Sequence, residues 1–359
     1  MKIELLLGSD AFWSRLQHDL AAARRTAWIQ TFTFEGDGAG TRLAEAIELA
    51  AAKDRRLLVD AYSRLYHSDR MLIGPARLSS SLRDEVRRTH EHVRRMRVSG
   101  AGVRFGNPLG PGPTRLLRRS HKKVALFDDS VVYLGGINFS DHNFAWHDMM
   151  LRIESGELAA IVRSDFASSW RGEPLAYDAE VDGLRLVSLS GRRNRSGFRP
   201  VLDAIGRARH TIDVVSAYVS YPFTSELAAA ASRGVRVRVL TPGRNNKSNL
   251  ARHIIERGHR HGFEVLKYAG GMSHMKAMLV DSETLVVGSS NFDFMSLHIL
   301  EEHLVITRRS DVVDAFRTRV LEPEVERATR VSVGSTVGTR LGDLAVRTGA
   351  HLAARLALT

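Results

Sequence analysis

Hydrophobic and polar positions follow a pattern along the first half of the chain that predicts alternating strands and helices. Residues 27–37 are typical of a buried strand, and residues 42–56 have the spacing of an amphipathic helix. Residues 56–62 predict a second strand, and residues 93–106 predict a helix that leads into a third strand. This order of elements indicates a layered α/β structure.

The second half of the chain repeats the same order. Residues 211–221 predict a strand, residues 225–236 a helix, residues 235–243 the next strand, and residues 250–270 a helix followed by a strand. Because strands that alternate with helices form parallel sheets through right-handed crossovers, each half is predicted to be an α/β/α layered domain. Two similar halves also imply a pseudo-twofold axis that relates them.

A Gly, Pro and Asp cluster at residues 171–197 is typical of a linker between the halves. We therefore predict a first domain at residues 1–183 and a second at residues 184–325. Residues 326–359 form a C-terminal tail that can be drawn as an amphipathic helix. Such a helix fits either membrane contact or packing against the core of the protein itself.

The composition is that of a folded globular protein. The chain has 359 residues, of which 43% are hydrophobic and 26% are charged, and it has no Cys. The absence of Cys excludes thiolate catalysis, disulfides and Cys-ligated zinc. The apolar run at the N-terminus is too short for a signal peptide, and no run reaches about 18 apolar residues, so we predict a cytoplasmic, non-spanning protein.

Positive charge is concentrated in one part of the chain. The whole sequence has 52 Lys and Arg against 40 Asp and Glu, and the stretch His67–Lys123 alone has fourteen Lys and Arg against four Asp and Glu. A basic field of this kind attracts nucleic acid, anionic lipid headgroups or a phosphorylated small molecule. A solvated Arg-rich helix without a partner is the alternative interpretation.

Two segments of polar residues repeat without a gap, at residues 121–138 and at residues 274–291. Both segments share five polar or Gly positions, which are His121 and His274, Lys123 and Lys276, Asp128 and Asp281, Gly135 and Gly288, and Asn138 and Asn291. A purely structural repeat would preserve the apolar strand positions rather than these. The repeat therefore indicates a chemical site that is built twice.

The spacing within each segment suits phosphodiester chemistry. His and Lys two residues apart on a strand project from the same face. The Gly136 and Ser289 turns let the chain approach a substrate closely, and the Asn that follows each turn offers an amide donor. A twofold axis would bring two His, two Lys and two Asn to one centre between the domains. There, Lys and Asn bind the phosphate oxygens, one His attacks phosphorus, and the other protonates the leaving alcohol.

This centre requires no metal and no cofactor. The remaining shared carboxylates, Asp128 and Asp281, each end a predicted strand, and we assign them a supporting role in hydrogen bonding or ion pairing. Because both segments lie in one chain, a monomer is predicted to be sufficient.

The two segments resemble the paired motifs of the phospholipase D superfamily, and residues 146–158, 165–170 and 288–306 resemble the bacterial cardiolipin synthase group most closely. The resemblance implies a covalent phosphohistidine intermediate, with His121 as nucleophile and His274 as general acid. It also implies that Asp148 and Glu302 are the carboxylates that orient a histidine.

The expected activity is phosphatidyl transfer or hydrolysis on anionic phospholipid, with the chain associated peripherally with the inner membrane. A nuclease of the same superfamily is the alternative, because the basic stretch also fits nucleic acid. A binding protein with an inactive site is a third hypothesis, which the two intact motifs argue against. The motifs do not choose between water and an alcohol as acceptor.

Overall fold

The computed structural model describes residues 1–72, 79–110, 116–192, 194–331 and 336–357, with side chains up to residue 349. The chain divides into two compact units, Met1–Leu175 and Ala176–Thr359. Among the helices in these ranges, none combines the length and the apolar composition that crossing a bilayer requires.

The first unit is built on a seven-stranded sheet in the order β1-β9-β8-β7-β2-β3-β6. Its elements are β1 (Lys2–Leu7), α1 (Ser9–Ala22), β2 (Thr26–Thr31), α2 (Gly38–Leu49), β3 (Asp54–Asp60), a 3₁₀ turn (Ala61–Arg64), β4 (Tyr66–His67), β5 (Arg70–Met71), α3 (Ser80–Val98), β6 (Gly102–Gly106), β7 (Val124–Phe127), β8 (Val131–Gly135), α4 (Asp141–Phe144), β9 (Met149–Glu154) and α5 (Gly156–Arg171). The β4–β5 hairpin lies outside the main sheet.

Helices cover both faces of this sheet. Ile29 of β2 belongs to the core that the sheet forms with α1, α2 and α3, whereas the adjacent Trp28 stacks on Phe166 of α5 at 5.0 Å between ring centroids. Because side chains alternate along a strand, a buried strand such as β2 supplies apolar groups to both layers.

The second unit has a nine-stranded sheet in the order β10-β11-β17-β16-β15-β12-β13-β14-β18. Its elements are β10 (Tyr177–Val181), β11 (Leu184–Ser190), α6 (Asn194–Gly197), α7 (Arg199–Arg207), β12 (Thr211–Ser216), α8 (Phe223–Ser232), β13 (Arg236–Pro242), α9 (Ser248–His261), β14 (Glu264–Tyr268), β15 (Lys276–Val280), β16 (Thr284–Gly288), α10 (Phe294–His298), β17 (Glu301–Thr307), α11 (Ser310–Phe316), a π-helical turn (Arg317–Leu321), α12 (Glu322–Arg327), β18 (Thr329–Arg330) and α13 (Val337–Ala357).

The predicted α/β class and the repeated architecture are confirmed. The six strands β9-β8-β7-β2-β3-β6 have the same order as β17-β16-β15-β12-β13-β14. The strands predicted to be parallel, β2, β3 and β6 and their counterparts β12, β13 and β14, are parallel. The strands that carry the motifs are antiparallel, however, because β7 and β8 are joined by a tight hairpin without a crossover helix. Each sheet is therefore mixed.

The division between the units falls at Leu175 and Ala176, whereas the linker composition predicts it near Gly183. Asp182 and Gly183 form the turn of the β10–β11 hairpin, in which Val181 pairs with Leu184. The Gly and Asp residues in this stretch therefore form the turn of a hairpin in the second sheet.

The C-terminal tail forms the predicted helix, α13, which packs on α9 through polar residues. Thr339 Oγ1 donates to Glu256 Oε2 at 2.6 Å, and His253 Nδ1 lies 2.9 Å from Asp343 Oδ1. The apolar residues of its first turns face away from these contacts. Their exposed fractions are 76% for Val337, 61% for Leu341 and 59% for Leu344. The apolar residues Leu352 and Leu356, farther along the predicted amphipathic helix, lie beyond the described side chains.

Candidate active site

The first motif places a histidine and a lysine together where the chain enters β7. Lys123 Nζ donates to the carbonyl oxygen of His121 at 2.7 Å. The intervening Lys122 points to the other face of the sheet, where its ammonium contacts both carboxylate oxygens of Asp165 at 2.7 and 2.8 Å. This alternation follows from strand geometry and keeps the Lys123 ammonium on the side of His121.

The second motif repeats this arrangement at the start of β15. Lys276 Nζ donates to the carbonyl oxygen of His274 and also lies 2.8 Å from His274 Nδ1. Both motif lysines are buried, as is His274. A buried ammonium beside an imidazole provides positive charge in a low-dielectric environment, where an anionic phosphate is bound more strongly than in water.

An aromatic ring contacts each motif histidine. The His121 ring lies 4.5 Å from the ring of Phe32, which directly follows β2, and Lys123 Nζ lies 5.6 Å from the same ring. The His274 ring lies 5.9 Å from that of Tyr218, which follows β12. The sequence singled out no role for Phe32, because it has no aromatic counterpart at the matching position of the second half.

The carboxylates Asp148 and Glu302 occupy equivalent positions in the two units. Gly136 N donates to Met149 O, and Ser289 N donates to His303 O, each at 3.1 Å. Asp148 directly precedes Met149, and Glu302 directly precedes His303. The two carboxylates that the family resemblance implies therefore lie at matching positions. Asp148 is 2% exposed and Glu302 is fully buried, so neither side chain is an ordinary solvated surface acid.

Gly136 and Ser289 lie against these carboxylates. A Cβ atom at Gly136 would collide with the carboxylate of Asp148, which explains why this position has no side chain. Ser289 instead donates its hydroxyl to Glu302 Oε2 at 2.5 Å, and Ser296 donates to Glu302 Oε1 at 3.2 Å. The two serines fix the Glu302 carboxylate, and the pattern of the motif alone did not identify Ser296.

The two motif asparagines differ in their surroundings, although both are buried. Asn138 Nδ2 donates to Asn143 Oδ1 at 3.2 Å, and Thr31 Oγ1 donates to Asn138 Oδ1 at 3.4 Å. Within the part of the chain that the structure describes, Asn291 Oδ1 has no hydrogen-bond partner. A buried amide oxygen without a partner is an acceptor that a bound hydroxyl group can satisfy.

Asp128 and Asp281 serve the backbone in the same way in both units. Asp128 accepts hydrogen bonds from the backbone amides of residues 24–26 at 2.7–2.9 Å. Asp281 accepts from those of residues 209–211, the closest at 2.8 Å. These hydrogen bonds lower the pKa of both carboxyl groups against the opposing, largest effect of burial. Each carboxylate ties its motif hairpin to the start of the strand beside it.

This role predicts that Asp281→Ala destabilises the fold. Three backbone amides would lose a charged acceptor, so we expect the free energy of unfolding to fall by about 1–2 kcal/mol in urea titrations at pH 7. The exposed Glu283→Ala in the same turn is the matched control and should change stability little. The pKa of Asp281 is lower in the folded state than in the unfolded state. Its contribution to the free energy of unfolding is therefore fully present above the pKa of the unfolded state, and it is lost as the pH falls through the pKa of the folded state. Equal stability of both variants would contradict this role.

The basic stretch divides into buried and exposed parts. Arg119 and Lys122 are buried in ion pairs with Asp60 and Asp165. Helix α3, in contrast, exposes six arginines, which are Arg83, Arg87, Arg88, Arg94, Arg95 and Arg97. Arg70 and Arg104 are also exposed, and Arg118 is half-buried. Arg77 and Arg115 lie outside the described residues. The excess positive charge that faces solvent therefore lies mainly on α3.

The sequence matches the family described as "Cardiolipin synthase, PLD-like domain" over residues 16–170 and 201–322. It is 25% identical over 341 residues to cardiolipin synthase B of Escherichia coli strain K12, covering 86% of this chain and 77% of that protein. It is 26% identical over 334 residues to cardiolipin synthase A of Pseudomonas aeruginosa strain LESB58, covering 85% and 63%.

Solved structures share the fold at lower identity. The phosphatidylserine synthase of Haemophilus influenzae Rd KW20 superposes with a TM-score of 0.70 at 14% identity, covering 98% of this chain and 94% of the other. The polyphosphate kinase of Porphyromonas gingivalis gives a TM-score of 0.61 at 13% identity, covering 98% and 56%. Both similarities concern the architecture.

Proposed function

The chain belongs to the cardiolipin synthase family with phospholipase D-like domains, and from this membership we propose that it is a phosphatidyltransferase that acts on anionic phospholipid. The observation that carries the proposal is the doubled pairing of a buried lysine with a histidine. Lys123 contacts His121, and Lys276 contacts His274, through the same carbonyl hydrogen bond. Such a repeated unit supports two histidines that act on one phosphorus atom.

The proposed reaction has two displacements. In the first, His121 attacks the phosphorus of phosphatidylglycerol, the bond to the glycerol oxygen breaks, and His274 gives a proton to the departing glycerol. In the second, His274 takes a proton from an acceptor hydroxyl, whose oxygen attacks phosphorus while the bond to His121 breaks. The hydroxyl of a second phosphatidylglycerol gives cardiolipin and water gives phosphatidic acid.

The surrounding groups have distinct parts in this scheme. Lys123, Lys276, Asn138 and Asn291 bind the non-bridging oxygens of the phosphate and stabilise the charge that develops on them. Asp148 and Glu302 orient the imidazoles. The fixed position of Glu302 between two serine hydroxyls supports this assignment, because an orienting group must itself be held.

The proposal is tested by incubating the purified protein with phosphatidylglycerol vesicles, with and without an added alcohol, and with single-stranded DNA in parallel. We expect cardiolipin or phosphatidic acid as products, and a phosphatidyl-alcohol when alcohol is present. The double variant His121→Ala/His274→Ala is the control for contaminating enzymes. Cleavage of DNA without lipid turnover would contradict the proposal and favour a nuclease, a function that the exposed arginines of α3 also fit.

A phospholipid substrate requires contact with a membrane surface, and we assign this contact to the start of α13. Val337, Leu341 and Leu344 are exposed, and Arg340 and Arg347 are exposed on the same helix. Apolar residues bordered by arginines are typical of helices that lie in the interface of an anionic membrane.

The double substitution Leu341→Asp/Leu344→Asp should therefore weaken binding to vesicles that contain phosphatidylglycerol, by at least about tenfold, because it removes apolar burial and adds negative charge. Vesicle sedimentation measures the change. The matched control Leu49→Asp alters another exposed leucine, on α2, and should bind as the wild type does. Unchanged binding of the double variant would show that another surface contacts the membrane.

A further inference from the structure

Three side chains of the kinds that bind metal ions lie close together in the first unit. The proposed reaction does not involve them. Glu35 follows β2, His67 lies in β4, and Glu85 lies in α3. Each offers one ligand atom, and the three atoms lie within 4.8 Å of one another. All three residues are buried, although they come from three separate elements.

Ser68 fixes the orientation of both carboxylates. Its backbone amide donates to Glu35 Oε2, and its hydroxyl donates to Glu85 Oε2, each at 2.8 Å. His67 Nδ1 lies 3.1 Å from Glu85 Oε1. Ser68 thus donates a hydrogen bond to the Oε2 atom of each carboxylate. Groups that hold ligands in place in this way are characteristic of metal sites in proteins.

Glu35 has a buried carboxylate oxygen that the described residues leave without a partner. Its side chain is 0% exposed, and among the residues that the structure describes its Oε1 atom has no hydrogen-bond partner. A buried carboxylate in this setting requires either a proton or a cation.

The cluster borders a cavity through which a cation could enter. The cavity has a volume of about 490 Å³, and Glu85 is the one proposed ligand among its lining residues, which also include Ser68, Asp37, Asp141, His142 and the basic Arg88. A further nitrogen ligand is His142, whose Nδ1 lies 3.7 Å from Glu35 Oε2.

We propose that Glu35, His67 and Glu85 bind one divalent transition-metal ion, with Zn²⁺ and Mn²⁺ as the candidates. Ligand atoms about 2.1 Å from a tetrahedral ion lie about 3.4 Å apart, so a small contraction of the cluster would bring three ligands to this spacing and leave the fourth position to water. A histidine among the ligands favours these ions over Mg²⁺ and Ca²⁺, which prefer oxygen ligands alone.

The second unit shows that the fold alone does not require this cluster. Ser220 occupies the position that matches Glu35, because Ser220 N donates to Phe292 O as Glu35 N donates to Phe139 O. The acid at this position is therefore a feature of the first unit only. It also makes Glu35→Ser a substitution that the repeated backbone already accommodates.

The test is metal binding by tag-free, full-length protein that has been dialysed against a chelator and then against buffer. Zn²⁺ or Mn²⁺ is titrated at pH 7.5, and bound metal is counted by mass spectrometry after gel filtration. We expect one tightly bound equivalent and a higher melting temperature with metal. Glu35→Gln, Glu35→Ser and His67→Gln should each weaken that equivalent at least tenfold.

His253→Gln is the matched control. His253 forms a buried pair with Asp343 in the second unit, and Arg260 flanks this pair where the cluster has its second carboxylate. This variant should retain the tight equivalent. Absence of tight binding by the wild type would overturn the proposal. Undiminished binding by both Glu35 variants would overturn it as well. The readouts do not depend on lipid turnover, so they distinguish failure of this site from failure of the proposed function.

Discussion

Replacing His121 with alanine is expected to abolish both phosphatidyl transfer and covalent labelling of the protein. The nucleophile is required for both displacements, so its loss removes the intermediate itself. We expect turnover to fall by at least about 10³-fold, measured as cardiolipin or phosphatidic acid formed from phosphatidylglycerol. His90→Ala, which changes an exposed histidine on α3, is the control and should leave turnover near that of the wild type.

His274→Ala should give a different result, because the general acid is dispensable when the leaving group departs without a proton. A phosphodiester with a p-nitrophenol leaving group should therefore still label the protein, whereas phosphatidylglycerol should not. The phosphoenzyme should then persist, because nothing activates the acceptor. Labelling that survives in His121→Ala but disappears in His274→Ala would exchange the two roles and leave the mechanism intact.

The second large effect concerns the buried carboxylates. Asp148→Asn and Glu302→Gln retain shape but lose charge, so the imidazoles would lose a group that selects their tautomer and orientation. We expect turnover to fall by about 10²- to 10⁴-fold with little change in KM or in the unfolding midpoint. A shifted pH profile should accompany the loss.

Asp293→Asn is the matched control for this effect. Asp293 is also a buried acid near the second motif, but it caps α10 by accepting a hydrogen bond from Ser296 N at 2.9 Å. Asparagine is an equally good cap, so turnover should stay near that of the wild type. Wild-type turnover in both Asp148→Asn and Glu302→Gln would show that these carboxylates have no orienting role.

The sequence predicted the parts of the molecule that are encoded locally. Strand periodicity placed His121 and Lys123 on one face, and the structure directs Lys122 to the opposite face as that periodicity requires. The repeated order of strands and helices predicted the α/β class of both units. Local patterns suffice in these cases because alternation of side chains along a strand is a property of the backbone.

The sequence did not predict features that depend on contacts between distant segments. The motif strands are antiparallel because a two-strand hairpin needs no crossover, a property that hydrophobicity does not encode. Glu35, His67 and Glu85 are separated by 32 and 18 positions, and no periodic spacing links them. Phe32 has no aromatic counterpart in the second half, and only the pairing of β2 with β7 brings its ring beside that of His121, so the sequence did not identify it either.

In the proposed mechanism, a histidine of the paired motifs carries the phosphatidyl group from donor to acceptor. The most direct measurement is rapid quenching of the wild type during turnover of phosphatidylglycerol labelled at phosphorus, followed by mapping of acid-labile phosphate to peptides. We expect stoichiometric label on the peptide that contains His121, and loss of this label when an acceptor alcohol is added before quenching. Steady product formation with no label on a peptide containing His121 or His274 would contradict it and would indicate direct attack by the acceptor.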